Sequence, residues 1–230
     1  MIAIGEKSIN NIVDITNYVQ FSINKPIHGY DLDSVKDRII VRFAEDNEKL
    51  ITLDDRELEL NNKTLVIADS EKVLGLAGIK GGKYSGIDNN TKNIIIESAN
   101  FDPVLIRKTS QRYNIRTDAS KRFENGLSDN LSIEGIEMSI SLIAKLAKEE
   151  GWNIIINNIN DNHPNKNIDI NRENIKLSIS SKDIYNICLI DIDKDFVVNI
   201  LTQLGCDIDI EQDIEDDYII TIKPPKNRLD

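Results

Sequence analysis

Between residues 38 and 98 the chain passes through six short runs rich in Val, Ile and Leu: "RIIVRFA", "KLITL", "ELEL", "TLVIAD", "VLGLAG" and "NIIIES". Turn clusters part them, among them Asp54-Asp55, Asn61-Asn62 and Asp88-Asn89-Asn90. Short β-branched runs bounded by such clusters read as strands. Helical patterns flank this β-rich centre. In 8–21, "SINNIVDITNYVQF", Ile9, Ile12, Val13 and Val19 follow a helical period, with Ser8 as the expected cap. "NKPIHGYD" (24–31) then reads as an irregular loop, because Pro26 and Gly29 interrupt any period. "FDPVLIRKTSQRY" (101–113) reads as a helix capped by Asp102, with Pro103 at its first position. A longer helix is predicted over 129–150, with a core stripe of Leu131, Ile136, Ile140, Ile143, Leu146 and Ala147 and a stop at Gly151.

The Asn-rich stretch 153–167, "NIIINNINDNHPNKN", reads as a short strand that gives way to a linker, and a domain boundary is expected near 165. A smaller unit follows: a strand at "IKLS", helices at "SSKDIYNIC" and "DKDFVVNILTQLG", and a hairpin from "CDIDIE" and "DDYIITIKPP". Two helices and a two-stranded wing have a winged-helix outline. The expected class is α+β. "PPKNRLD" ends the chain with no closing element, so it is expected to be a piece of something longer.

Its 230 residues suffice for one large domain or two modest ones, and 40% hydrophobic residues suffice for a packed core. No apolar run approaches the ~20 residues of a membrane span, and no signal peptide opens the chain. Two cysteines, Cys188 and Cys206, are too few for a disulfide framework and read as reduced, partly buried thiols of a cytoplasmic protein. A net charge of −11 argues against a free-standing nucleic-acid binder, whose affinity rests on phosphate contacts. The local exception is Arg107, Lys108, Arg112, Arg116, Lys121 and Arg122, set against a single acid, Asp118. Such a run is ordinarily a solvated helix face.

Several candidate sites fail on spacing. In "LGLAGIKGGKYSG" (74–86), Ala77 stands where a phosphate loop needs its first Gly, and Tyr84 follows Lys83 where Ser or Thr belongs. The glycines permit either a tight turn or close approach of the backbone to a ligand. The only histidines, His28 and His163, have no partners at zinc spacing. Glu97 ends an apolar strand and shares a face with Ile95. It is either an exposed edge acid or a buried acceptor that selects a hydroxyl.

Taken together, "INNIVDITNYV", "KPIHGYDL", "LAGIKGG", "IIIESANFDPVLIRKTSQRYNIRTDASKRFENG" and "PPKNRLD", in this order and spacing, resemble the β-subunit family of bacterial phenylalanine–tRNA ligases. The resemblance covers nearly the whole chain. It implies a B3/B4-type editing domain over 1–165 and most of a winged-helix-like B5 domain over 170–230. The implied activity is hydrolysis of tyrosine wrongly attached to tRNA(Phe). An apolar pocket built for phenylalanine rejects a ring bearing one extra hydroxyl by only about 10², whereas a pocket that hydrogen-bonds the hydroxyl rejects the analogue lacking it by roughly 10⁴–10⁵.

By resemblance, Glu97 accepts the tyrosine hydroxyl, and His28 and Pro26 line the pocket with Thr16 and Asn17 nearby. Ala77 and Gly78 are the small pair that admits the ring, and Thr117 and Ala119 form the wall near the aminoacyl end. No metal is expected in the pocket and no general base is assigned. Asp230 matches the first of several magnesium ligands, the others lying beyond the chain. Magnesium and ATP belong to the full enzyme, and the α subunit and tRNA(Phe) are the implied partners. The chain departs from the family pattern at Lys25, Gly29-Tyr30, Lys80, Asn125 and Ser128-Asp129. The alternative reading is a non-catalytic RNA- or subunit-interaction module with a vestigial pocket.

Overall fold

The apolar runs of the centre form antiparallel ladders. In a computed structural model, which describes residues 1–162, 176–214 and 217–225, internal contacts divide the chain into two units, Met1–Ile156 and Asn157–Asp230. The first unit opens with α1 (Asn11–Ile23). Its cap is Asn10, whose side chain accepts from the amide of Val13, while Ser8 bonds instead to the Asp14 carboxylate.

The segment expected to be a loop at 24–31 ends in a strand, β1 (His28–Asp31). Pro26 and Gly29 break a helical period but not an extended chain. Pro26 precedes the ladder, where its missing N–H costs nothing. A side chain at Gly29 would put its Cβ 2.6 Å from Ile87 Cδ1.

The six predicted runs become β2 (Ile40–Phe43), β3 (Lys49–Ile51), β4 (Glu57–Glu59), β5 (Leu65–Ala68), β6 (Val73–Leu76) and, after the two-residue β7 (Lys80–Gly81), β8 (Ile94–Glu97). They assemble as a four-stranded sheet β2-β5-β6-β7, a hairpin β3-β4 and a two-stranded ladder β1-β8. The central strands are covered on both faces. On β5, Val66 enters one apolar cluster with Leu50, Leu60, Ile106 and Phe123, while its neighbour Ile67 enters a second with Tyr30, Leu74 and Ala77. Alternation of side chains across a strand explains the split, and double coverage explains the continuous apolar runs.

Three helices close the unit. α2 (Pro103–Tyr113) starts at Asp102, whose carboxylate accepts from the Leu105 amide at 2.8 Å. α3 (Asp118–Phe123) is capped by Thr117, and α4 (Asn130–Glu150) stops at Gly151, φ +70°. The buried residues of α4 are Leu131, Gly135, Ser139 and Ala147, whereas Ile136, Ile140, Ile143 and Leu146 are only half-buried. Small residues take the contact because the neighbouring chain comes close. A Cβ on Gly135 would lie 2.7 Å from Ile27 Cδ1. The strand expected just after 153 does not form: 152–162 contains neither helix nor strand, and Ile155 is 84% exposed. The boundary expected near 165 lies outside the described residues.

The second unit runs β9 (Leu177–Ser180), α5 (Ser181–Cys188), α6 (Lys194–Gln203), β10 (Asp207–Ile214) and β11 (Asp217–Lys223). Its sheet order is β10-β11-β9, and Ile184, Tyr218, Ile220 and Ile222 form its core. Helix, helix and wing thus stand on one small sheet, and the chain as a whole is α+β. Cys188 is exposed and Cys206 half-buried, both as free thiols. No helix among the described residues is long and apolar enough to cross a membrane.

Candidate functional site

The β1-β8 ladder builds the centre of the site. His28 stands directly opposite Glu97, and Tyr30 opposite Ile95. Residues opposite one another in an antiparallel pair share a face, and a long side chain reaches the diagonal neighbour as well. Tyr30 does so: its hydroxyl donates to Glu97 Oε2 at 2.5 Å. The imidazole of His28 meets the Tyr30 ring edge-on, with centroids 4.5 Å apart. Glu97 falls between the two readings left open for it: the residue is half-buried, and its carboxylate accepts from Tyr30.

Burial governs the charges here. Desolvation pushes the Glu97 carboxyl above the usual carboxylate range, opposed by the Tyr30 hydrogen bond and the Lys25 ammonium. It pulls the His28 imidazole down to about 4, so the ring is neutral near neutral pH. Tyr30 is pushed up, first by burial and then by the Glu97 charge, and remains a phenol donor. The trio therefore offers a desolvated carboxylate, a neutral imidazole and a fixed hydroxyl. The glycine-rich stretch makes room for it. A Cβ on Gly81 would lie 2.6 Å from His28 Cε1, so this glycine seats the imidazole.

The remaining expected residues fall into two neighbouring groups. Ala77, 1% exposed, packs in the cluster of Tyr30, Ile67 and Leu74. Gly78, Thr117 and Ala119 gather instead around Phe101 and Phe123, whose rings meet edge-on at 5.0 Å. Thr117 forms a capping box with Ser120 and donates its hydroxyl to the carbonyl of Ile79 at 2.9 Å, which ties α3 to the Gly78 turn. Phe101 packs against both clusters and joins the groups. Pro26 is buried beside Ile27, which packs on α4. Thr16 is buried on α1 with its hydroxyl donated to Val13 O at 2.8 Å, and Asn17 is half-buried one residue on. Among the described residues, neither side chain hydrogen-bonds to His28 or Glu97.

Sequence reasoning missed two members of the site. Tyr30 and Lys25 registered only as departures from a family pattern. Lys25 is fully buried, its Nζ donating to Ala99 O at 2.7 Å and Asn100 Oδ1 at 2.5 Å and lying 5.7 Å from the Phe123 ring centroid. Burial lowers its pKa to about 8, against the opposing pull of Asp129 and Glu97. Asn100 in turn donates to Leu127 O at 3.0 Å and Asp129 Oδ1 at 2.5 Å. Lys25 therefore holds interior polar groups, not RNA. The basic run is partly neutralised within itself. Arg116 pairs with Glu124 at 2.8 Å, Lys121 with Asp118 at 3.3 Å, and Arg122 lies over the Phe21 ring at 4.9 Å. Lys80 pairs with Asp54 at 3.3 Å, and Asn125 donates to Lys121 O at 2.7 Å.

Away from this centre, a shallow groove of about 300 Å³ between α1 and α4 is lined by Met1, Ile15, Tyr18, Leu142 and Leu146. Asn11 and Asp14 complete its lining. Among the described residues, no cluster of three or more His, Cys, Asp or Glu is placed to hold a metal ion. His163 and Asp230 lie outside the described residues.

The phenylalanine–tRNA ligase beta subunit of Fusobacterium nucleatum is 39% identical over 229 residues, covering 99% of this chain and 27% of the relative. That of Protochlamydia amoebophila is 47% identical over 144 residues, 62% of this chain and 18% of the relative. The chain thus spans about a quarter or less of the length of these relatives. A solved N-terminal fragment of the phenylalanyl-tRNA synthetase beta-subunit from Pyrococcus horikoshii is 12% identical, with a TM-score of 0.36 over 95% of this chain and 60% of that one. A family model described as the B3/4 domain matches residues 1–148, and that segment holds Lys25, His28, Tyr30, Ala77, Glu97 and Thr117. By this match the chain belongs to the B3/4 domain family.

Proposed function

We propose that this chain is part of the beta subunit of a phenylalanine–tRNA ligase and that its first unit edits, hydrolysing the ester that joins tyrosine to tRNA(Phe). The observation that carries the reading is the desolvated Glu97 carboxylate, placed as a hydrogen-bond acceptor opposite His28 and beside the cluster that contains Ala77. An acceptor beside a small apolar wall favours a ring that carries a hydroxyl, which brings a second donor to the carboxylate that Tyr30 already engages. Within this reading Thr16, Asn17, Pro26, Gly78, Thr117 and Ala119 complete the enclosure around Ala77, His28 and Glu97. The editing domain extends over 1–165 and a B5-type unit over 170–230.

Substrate positioning and water exclusion supply the catalysis. Glu97 and His28 orient the aminoacyl group, and a water held by polar groups attacks the ester carbon while the tRNA terminal hydroxyl leaves with a proton. ATP, amino-acid activation and most of the tRNA contact belong to the alpha subunit and to the rest of the beta subunit, working in the cytoplasm. Asp230 would supply one carboxylate to a magnesium site. A single carboxylate does not hold magnesium, so no step is assigned to it.

The test is deacylation of tyrosyl-tRNA(Phe) by the ligase that contains these residues. The wild-type enzyme is expected to clear the ester, and Glu97→Ala to slow clearance by roughly 10²-fold. An ester left intact by the wild type, or cleared equally by Glu97→Ala, overturns the reading.

A further inference from the structure

Resting on the editing reading, we infer that Tyr30 is a specificity-determining residue: its hydroxyl already fills the Glu97 acceptor, so the site separates tyrosine from phenylalanine less sharply than an unoccupied carboxylate would. Three observations converge. The Tyr30 hydroxyl lies 2.5 Å from Glu97 Oε2. The Tyr30 ring packs in one cluster with Ala77, so an internal tyrosine makes both contacts a ligand tyrosine would make, ring on the small wall and phenol on the acid. The residue is 2% exposed and its ring meets His28 edge-on, so the phenol is held on the acid by packing.

The consequence follows from where discrimination arises. A hydroxyl-binding site rejects the hydroxyl-free analogue because the analogue leaves a buried polar group without a partner. With Tyr30 in place, Glu97 keeps a donor even when phenylalanine is bound, and most of that penalty vanishes. Tyrosine gains only what the second carboxylate oxygen offers. Among the described residues no hydrogen bond reaches Oε1, which leaves that oxygen as the acceptor for a ligand phenol.

The variant Tyr30→Phe removes one oxygen from a ring that stays in its cluster. It leaves Glu97 dependent on the ligand for its donor. Titration calorimetry of free L-tyrosine and L-phenylalanine into the 230-residue chain reads the ratio of the two dissociation constants. In the wild type the ratio is expected below about 10², against the roughly 10⁴–10⁵ of a site whose polar groups are left unpaired. In Tyr30→Phe it is expected to rise at least about tenfold. A wild-type ratio near 10⁴, which needs no variant to measure, overturns the inference. So does a ratio that is unchanged in Tyr30→Phe while the wild type prefers tyrosine, and that outcome leaves the editing reading standing. If neither amino acid binds either protein, the inference falls together with that reading.

Discussion

The ammonium of Lys25 donates to Asn100 Oδ1 at 2.5 Å from a side chain with no exposed surface. The same ammonium reaches Ala99 O, so one buried cation joins the chain before β1 to the chain after β8. Removing the ammonium leaves two acceptors unpaired and takes a counter-charge from Glu97 and Asp129. Losing one partner of a buried charged network costs several kcal/mol. Lys25→Met is therefore expected to destabilise the first unit by about 2–4 kcal/mol in urea unfolding, and Lys25→Gln, which can still donate, by less.

The same lysine sets a slope at alkaline pH. Its pKa falls from 10.5 to about 8 on folding. Between those values the unfolded chain holds a proton that the folded chain has released, so this group makes the fold more stable as pH rises through the window. Below about 8 both forms are protonated and the slope vanishes. Stability measured from pH 7.5 to 10.5 should show this rise in the wild type and lose it in Lys25→Gln.

His28 acts at the acid end. Burial takes its pKa from 6.5 to about 4. Above 6.5 the ring is neutral in both states, while between 6.5 and 4 only the unfolded chain takes up the proton. The fold thus loses stability as pH falls through that window, by up to about 3 kcal/mol. Glu97, whose pKa is raised, works in the opposite direction. Chemical denaturation of wild type and His28→Phe at matched pH isolates the histidine, because Glu97 is common to both. The advantage of the wild type over the variant is expected to shrink from pH 7 to pH 4.

How much of this was legible follows separation along the chain. β5 and β6 announced themselves because their apolar runs are bounded by turn residues. The Asp102 cap announced itself because its partner, the Leu105 amide, is three residues away. β1 did not: "HGYD" has no apolar run, and its strand character comes from the β8 ladder. Lys25 and Ala99 are 74 residues apart, and Tyr30 and Glu97 are 67. Local pattern says nothing about such pairs. On α4 the apolar stripe misled in one respect, because close packing put Gly135 and Ser139 inside and left Ile136 and Ile140 half-buried.

Gly78 answers to two constraints at once. Its φ is +66°, and a Cβ there would lie 2.8 Å from Phe101 Cδ2, 2.9 Å from Ile106 Cδ1 and 3.0 Å from Phe123 Cδ2. The left-handed backbone costs a non-glycine residue about 1–2 kcal/mol, and overpacking a core about 1–3 more. Gly78→Ala is expected to lower stability by about 2–4 kcal/mol in thermal or urea unfolding. Ala77→Gly next to it has no such clash and should cost less.

Thr117 offers a separation of roles. Its oxygen accepts from the Ser120 amide at 3.1 Å as a helix cap and donates to Ile79 O at 2.9 Å as a tie to the Gly78 turn. Thr117→Val keeps the shape and removes both bonds, at about 1–3 kcal/mol for a lost cap and a half-buried carbonyl left unpaired. Thr117→Ser keeps the oxygen and is expected to cost well under half as much. Because the tie ends on the residue after Gly78, amide exchange at Gly78 and Ile79 should quicken in Thr117→Val and stay near wild type in Thr117→Ser. Equal exchange in the two variants would show that neither bond of the Thr117 hydroxyl holds the turn.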